Sequence, residues 1–127
     1  MRLVAQYADA CNFFGDLPTI KHKIEVLERH CAEVGRDPAE ITKTRLGGLM
    51  IAATASEAEA MGEVVRERRN MPRERYDGYF VAGDPDAVAE QAHAYLEAGL
   101  DGLIFNVHDP TDLERIELAG KTLTSIG

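Results

Sequence analysis

The sequence changes its hydrophobic period again and again, and that alternation limits the folds open to it. Short apolar runs that suit strands stand near residues 10–14, 45–53 and 102–107. Around them lie segments whose apolar residues recur every three to four positions, as on one face of a helix. Read from the amino end, the order is helix, strand, helix, strand, helix, helix, strand, helix. Strands that alternate with helices predict βαβ units and a parallel sheet. The expected class is therefore α/β, with about three parallel strands and flanking helices. A length of 127 residues suits one domain.

Several helices carry their own boundary signals. In "DLPTIKHKIEVLERHCAEVG", Ile20, Ile24, Leu27, Cys31 and Val34 form one stripe, and Gly35 is the natural stop. "RDPAE" offers Asp37 as cap, Pro38 at the first helical position and Glu40 to close a capping box, but has room for one turn only. Thr54 and Glu57 form a capping box for "ASEAEAMGEVVRERRN", with Ala58, Met61 and Val65 inward. Asp84 opens "DPDAVAEQAHAYLEAG", which turns Val88, Ala92, Tyr95 and Leu96 to one face. A second Asp-Pro pair opens the last helix, "DPTDLERIELAGKTLTSIG", with Asp109 as its expected N-cap.

Three stretches fit less simply. Leu3, Val4, Tyr7 and Ala8 have helical spacing, yet no capping residue precedes them, so the expectation is a helix cut at its start. Gly47 and Gly48 fall inside an apolar run, which suggests close backbone approach or a bulge. "RERRNMPRERYDGYFVAG" reads as irregular.

The balance of charges narrows the partners. A net charge of −8 and a pI near 4.9 repel phosphate backbones, so nucleic acid is not expected. No apolar run approaches the roughly 20 residues of a membrane span, no signal peptide is visible, and a cytoplasmic location is the default. Cys11 and Cys31 lack metal-like spacing and read as free thiols in a reducing compartment. His22, His30 and His93 fall on helices without a second ligand at i+4, so no metal site is expected. Arg66, Arg68, Arg69, Arg73 and Arg75 could attract an anionic coenzyme tail or substrate, but a solvated loop and helix end is the favoured reading. The glycines at 47 and 48 do not make a dinucleotide fingerprint.

Three segments in order carry a family resemblance. They are "RLVAQYADACNFFG", then "HKIEVLERHCAEVGRDPAEITKT", then "AGDPDAVAEQAHAYLEAGLDGLIFNVHDPTDLERIELAGKTL". Together they resemble the carboxyl-terminal part of bacterial-luciferase-like monooxygenases, in the branch that uses the deazaflavin coenzyme F420. The resemblance covers nearly the whole chain, with the arginine-rich stretch near 66–75 departing from it. It implies a partial TIM barrel, with the three visible strands as the sixth, seventh and eighth and residues 1–127 as the carboxyl-terminal half of the (β/α)8 domain. A complete barrel takes about 250 residues. The first five strands and a glycine-rich phosphate loop, expected just before "RLVAQYAD", would then lie outside this sequence, along with the family's usual catalytic residues.

In a TIM barrel the site gathers at the carboxyl ends of the strands. Asn106 and His108 end the last strand, Asn12 the first and Thr54 the middle one, and all four are expected at one rim. Asn12, Asn106 and His108 are the candidate cofactor-facing residues; no catalytic residue is assigned. Each has a structural alternative. Asn12 could be a turn amide, and Asn106 and His108 could cap the turn before the last helix. Asp9 and Asp101 precede strands, at the opposite end, where capping or pairing with Arg or Lys is expected.

Two functions follow. The first is a fragment or shortened member of the luciferase-like oxidoreductases. The intact family transfers hydride or monooxygenates a small-molecule substrate on F420 or FMN, and this chain alone is expected to be inactive and to bind either coenzyme weakly or not at all. The second is a non-catalytic α/β module that self-associates, since a partial parallel sheet has open edges and a homo-oligomer would cover them.

Overall fold

The computed structural model describes residues 1–107 and 109–126. Helix α1 (Arg2–Tyr7) leads into strand β1 (Ala10–Phe13), then helix α2 (Leu17–Val34) and a 3-10 turn (Pro38–Glu40). Strand β2 (Thr42–Ile51) follows, then helices α3 (Ala55–Arg69) and α4 (Arg73–Tyr79) and strand β3 (Phe80–Gly83). Helix α5 (Pro85–Glu97), strand β4 (Gly102–Val107) and helix α6 (Leu113–Thr124) complete the chain.

All strand pairs are parallel. β2 is the hub. Thr44 and Arg45 pair with both β1 and β4, and Gly48 and Leu49 pair with both β3 and β4. A strand has two edges, so β1 and β3 lie end to end along one edge of β2 and β4 occupies the other. The sheet thus has one strand more than the three expected from sequence.

Alternation along β2 sorts its side chains between two faces. Phe13, Leu49, Ile51 and Val81 join Ile20, Ile24, Leu27 and Cys31 of α2 and Val88 and Tyr95 of α5 in the main core. The expected stripes of α2 and α5 are the faces that these helices bury. On the other side, Gly48, Met50, Phe80 and Ala82 meet α3 and α4 in a smaller core that includes Val65 and Tyr76. The Tyr76 and Phe80 rings stack with centroids 4.6 Å apart. Nearer the amino ends of the strands this second face is uncovered. It presents Asn12, Thr44, Leu46 and Ile104, of which Ile104 is 49% exposed.

The stretch read as irregular holds α4 and β3. Both are too short for a period to be legible, and their stability comes from tertiary contacts. Arg73 clasps Glu59 of α3 and pairs with Asp77 one turn on. β3 forms on the exposed carboxyl-terminal edge of β2. A second correction concerns α6. Its N-cap is Asp112, whose carboxylate accepts from the Arg115 amide, while Asp109 accepts from the Thr111 amide and hydroxyl in the preceding turn. The caps expected at Asp37, Thr54 and Asp84 each accept from a first-turn amide, and Asp16, not singled out in the sequence, does the same for α2. Gly35 ends α2 at φ 72°, in the left-handed region that favours glycine.

Candidate functional site

The carboxyl-terminal half of β2 dictates the local geometry through two adjacent glycines. A Cβ on Gly47 would stand 2.6 Å from the Tyr79 carbonyl oxygen and would also strike the Arg45 guanidinium. A Cβ on Gly48 would stand 2.5 Å from the Phe80 ring and 2.8 Å from the Tyr79 ring. The close approach expected from this glycine pair is therefore real, and it lets the end of α4 sit directly on the sheet.

Arg45 holds that arrangement from the helix-covered side. Its side chain is 1% exposed. Nε donates to the Gly15 carbonyl at 2.8 Å, and Nη2 donates to the carbonyls of Gly78 at 3.0 Å and Tyr79 at 3.2 Å. The guanidinium carbon lies 4.3 Å from the centre of the Tyr95 ring. One buried cation thus ties the loop after β1 to the last carbonyls of α4, across the gap between β1 and β3. A cation is favoured at a helix carboxyl end. Burial lowers the Arg45 pKa and raises that of the Tyr95 phenol. Sequence reasoning passed Arg45 over, because an arginine inside a strand carries no signal of the gap it fills.

On the opposite face, Tyr79 and the end of β4 frame a depression of about 320 Å3. Gly48, Arg69, Tyr79, Phe80, Asn106 and Val107 line it. Asn106 Nδ2 donates to the Tyr79 hydroxyl at 2.9 Å. Asn106 therefore stands at the carboxyl ends of the strands, as expected, and an arginine from the stretch near 66–75 joins it there.

The other candidates lie elsewhere. Asn12 shares the face of Asn106 but not its level, for Asn12 pairs with Thr44 and Asn106 with Gly48. Four residues of strand separate the two rows by about 13 Å. The Asn12 carboxamide oxygen accepts from the Thr44 hydroxyl at 2.9 Å. Thr54 caps α3 through its hydroxyl, which accepts from the Glu57 amide. His108 lies outside the described residues. Asp101 has the structural role foreseen, accepting from the Lys43 amide at 2.7 Å, with the Lys43 ammonium 3.7 Å away.

A second, larger depression of about 380 Å3 lies between α3, α4, β3 and α5. Its polar wall is the Glu59–Arg73–Asp77 cluster. The hydrogen bond from Arg73 holds the Glu59 carboxyl below its ordinary pKa. Tyr76 lines the same depression, its phenol pKa raised by burial and its hydroxyl without a partner among the described residues. The cluster pairs one guanidinium with two carboxylates and ties α4 to α3.

No protein-family profile matches this sequence, and no curated protein does. Solved structures do match. The coenzyme F420-dependent tetrahydromethanopterin reductase from Methanopyrus kandleri superposes with a TM-score of 0.74 at 16% identity, over 99% of this chain and 48% of that one. An F420-dependent secondary alcohol dehydrogenase gives a TM-score of 0.77 at 17% identity, over 99% and 45%. The oxygenating constituent of 3,6-diketocamphane monooxygenase from Pseudomonas putida, solved with FMN, gives 0.65 at 21% identity, over 98% and 44%. The chain spans about half the length, or less, of the solved proteins it matches. The parallel α/β fold that the motifs implied is the fold found, and over 98–99% of its length this chain superposes on part of these solved proteins.

Proposed function

We propose that the chain supplies the carboxyl-terminal half of a flavin- or deazaflavin-dependent oxidoreductase barrel, with F420 or FMN as coenzyme and a small molecule as substrate. One observation carries this reading. The whole chain matches such enzymes, while the sheet face carrying Asn12, Leu46 and Ile104 is open, as the inner face of a barrel lacking its other strands would be. In this reading Asn106 stands at the rim and touches coenzyme ring or substrate, Asn12 lines the wall below, and His108 keeps the cofactor-facing role expected from its sequence position alone. The coenzyme supplies hydride transfer or oxygen chemistry, and the protein orients it and excludes water. The half-barrel alone does not enclose a ring, so it is inactive until completed, and it works in the cytoplasm.

The test joins this chain to the polypeptide encoded in frame immediately upstream of Met1 and titrates the product with F420 and FMN, following fluorescence. Saturable binding that weakens about tenfold in Asn106→Ala supports the proposal, since a tenfold loss is what one good polar contact supplies. An upstream region without barrel strands, or an unchanged affinity in Asn106→Ala, contradicts the reading or removes Asn106 from the site.

A second reading is favoured by the edge of β4. Among the described residues no strand pairs with its outer side, and Ile104 and Val107 nearby are about half exposed. Such edges associate unless covered. In this reading a second copy covers edge and face as a homo-oligomer, without catalysis. Sedimentation at micromolar concentration separates the two, because a monomer with a cooperative melt excludes the oligomer.

A further inference from the structure

We propose that the depression between α3, α4 and β4 is a binding subsite for an anionic group, a phosphate or a carboxylate. The inference deepens the rim reading above and rests on it for the claim that this rim faces a ligand.

Hydrogen-bond donors and acceptors around the recess do not balance. Asn106 Nδ2 donates to the Tyr79 hydroxyl oxygen, so the accepting side of that oxygen is engaged and its own hydrogen has no acceptor among the described residues. The second amide hydrogen of Asn106 has no acceptor among the described residues either. Turning the amide over makes Asn106 Oδ1 the acceptor of the phenol and frees both amide hydrogens, so the pair offers two free hydrogens in either orientation, beside unfilled lone pairs on Oδ1 and the phenol oxygen, and the surplus of donors comes from Arg69. Arg69 adds a guanidinium, which carries donors only.

The surrounding charges leave Arg69 unpaired. Arg66 takes Glu59 and Glu63, and Arg73 takes Glu59 and Asp77. No carboxylate lies within ion-pair distance of Arg69 among the described residues. The result is a donor-rich recess, next to an unneutralised cation, on a protein of net charge −8. Planar guanidinium and amide donors match the oxygens of a phosphate or carboxylate. Gly48 leaves the floor flat, and Phe80 and Val107 give an apolar wall for the body that carries the anion.

The test is a titration of the purified chain with inorganic phosphate and, separately, with acetate, reading the Asn106 side-chain amide signals by NMR at constant ionic strength against chloride. The expected result is a saturable shift with a dissociation constant of about 1–10 mM. Arg69→Gln should weaken it at least tenfold. Arg68→Gln, in the same basic stretch but outside the recess, should change it less than twofold. Tighter phosphate than acetate binding assigns a phosphate-bearing ligand, tighter acetate binding a carboxylate-bearing one, and equal binding supports a subsite that accepts either anion. Shifts that do not saturate with either anion, or equal effects of the two arginine variants, overturn the proposal. Because the probe is a simple anion and the coenzyme is absent, failure here leaves the half-barrel reading standing, and failure to bind coenzyme leaves this one standing.

Discussion

Replacing Arg45 by Met should destabilise the chain by about 2–4 kcal/mol. The side chain is fully buried and serves three carbonyls, with Nη2 shared between two of them. Hydrogen bonds from a charged donor contribute roughly 1.5–3 kcal/mol each, and the shared pair counts as about one, so the bonds lost are worth roughly 3–6 kcal/mol. Relief of the desolvation of a buried guanidinium, one of whose nitrogens has no partner among the described residues, offsets about 1–2 kcal/mol of that. Met fills similar volume, so no cavity adds to the loss. Arg45→Lys keeps the charge but offers one compact ammonium, which cannot reach carbonyls on both sides of the gap, and should still lose about 1–3 kcal/mol. The assay is urea unfolding followed by circular dichroism, at one fixed protein concentration because association shifts apparent stability. The same variants should move the Asn106 side-chain amide signals, since Arg45 sets the position of Tyr79. A Met variant within 0.5 kcal/mol of the parent, or a Lys variant equal to it, would refute the account of Arg45 as a geometric tie.

Other outcomes follow from single contacts. Tyr76→Phe removes a buried hydroxyl that has no partner among the described residues, so the urea midpoint should stay level or rise. Gly48→Val forces a branched side chain against the Phe80 ring and should cost about 1–3 kcal/mol in the same assay, while closing the recess to phosphate. Asp16→Ala removes the cap of α2 and should cost about 1 kcal/mol at neutral pH. Hydrogen bonds from Thr19 hold the Asp16 carboxyl below its ordinary pKa. That stabilisation is complete above the unfolded-state pKa near 4 and is lost as pH falls through the folded value. The gap between parent and Asp16→Ala should therefore close in acid, and a gap that persists there would show that the cap works without its charge.

The legible part of the fold was local. Caps at Asp37, Thr54 and Asp84 depend on residues two or three apart, and amphipathic stripes depend on one helix at a time, so sequence order suffices to find them. What escaped depends on distant partners. β3 is four residues long and exists because β2 outlasts β1 and leaves an edge to pair with. α4 needs the clasp between Arg73 and Glu59, fourteen positions earlier. For α6 two aspartates competed as cap, and only the path of the chain selects Asp112. The site was legible in the same partial way. Asn106 falls at the strand end that its position implied, but register, invisible in sequence, puts Asn12 four rows away and brings Arg69 and Tyr79 alongside instead.

On the proposal made above, this chain holds one half of a coenzyme-binding barrel and does not form the site alone. Fluorescence titration of the purified chain with F420 and with FMN tests it most directly. The account predicts no saturable change up to about 100 μM of either coenzyme, the range in which a weak specific site would register. Saturable binding in the low micromolar range would contradict it, and would mean that the chain, or an assembly of its copies, encloses the ring without the missing strands.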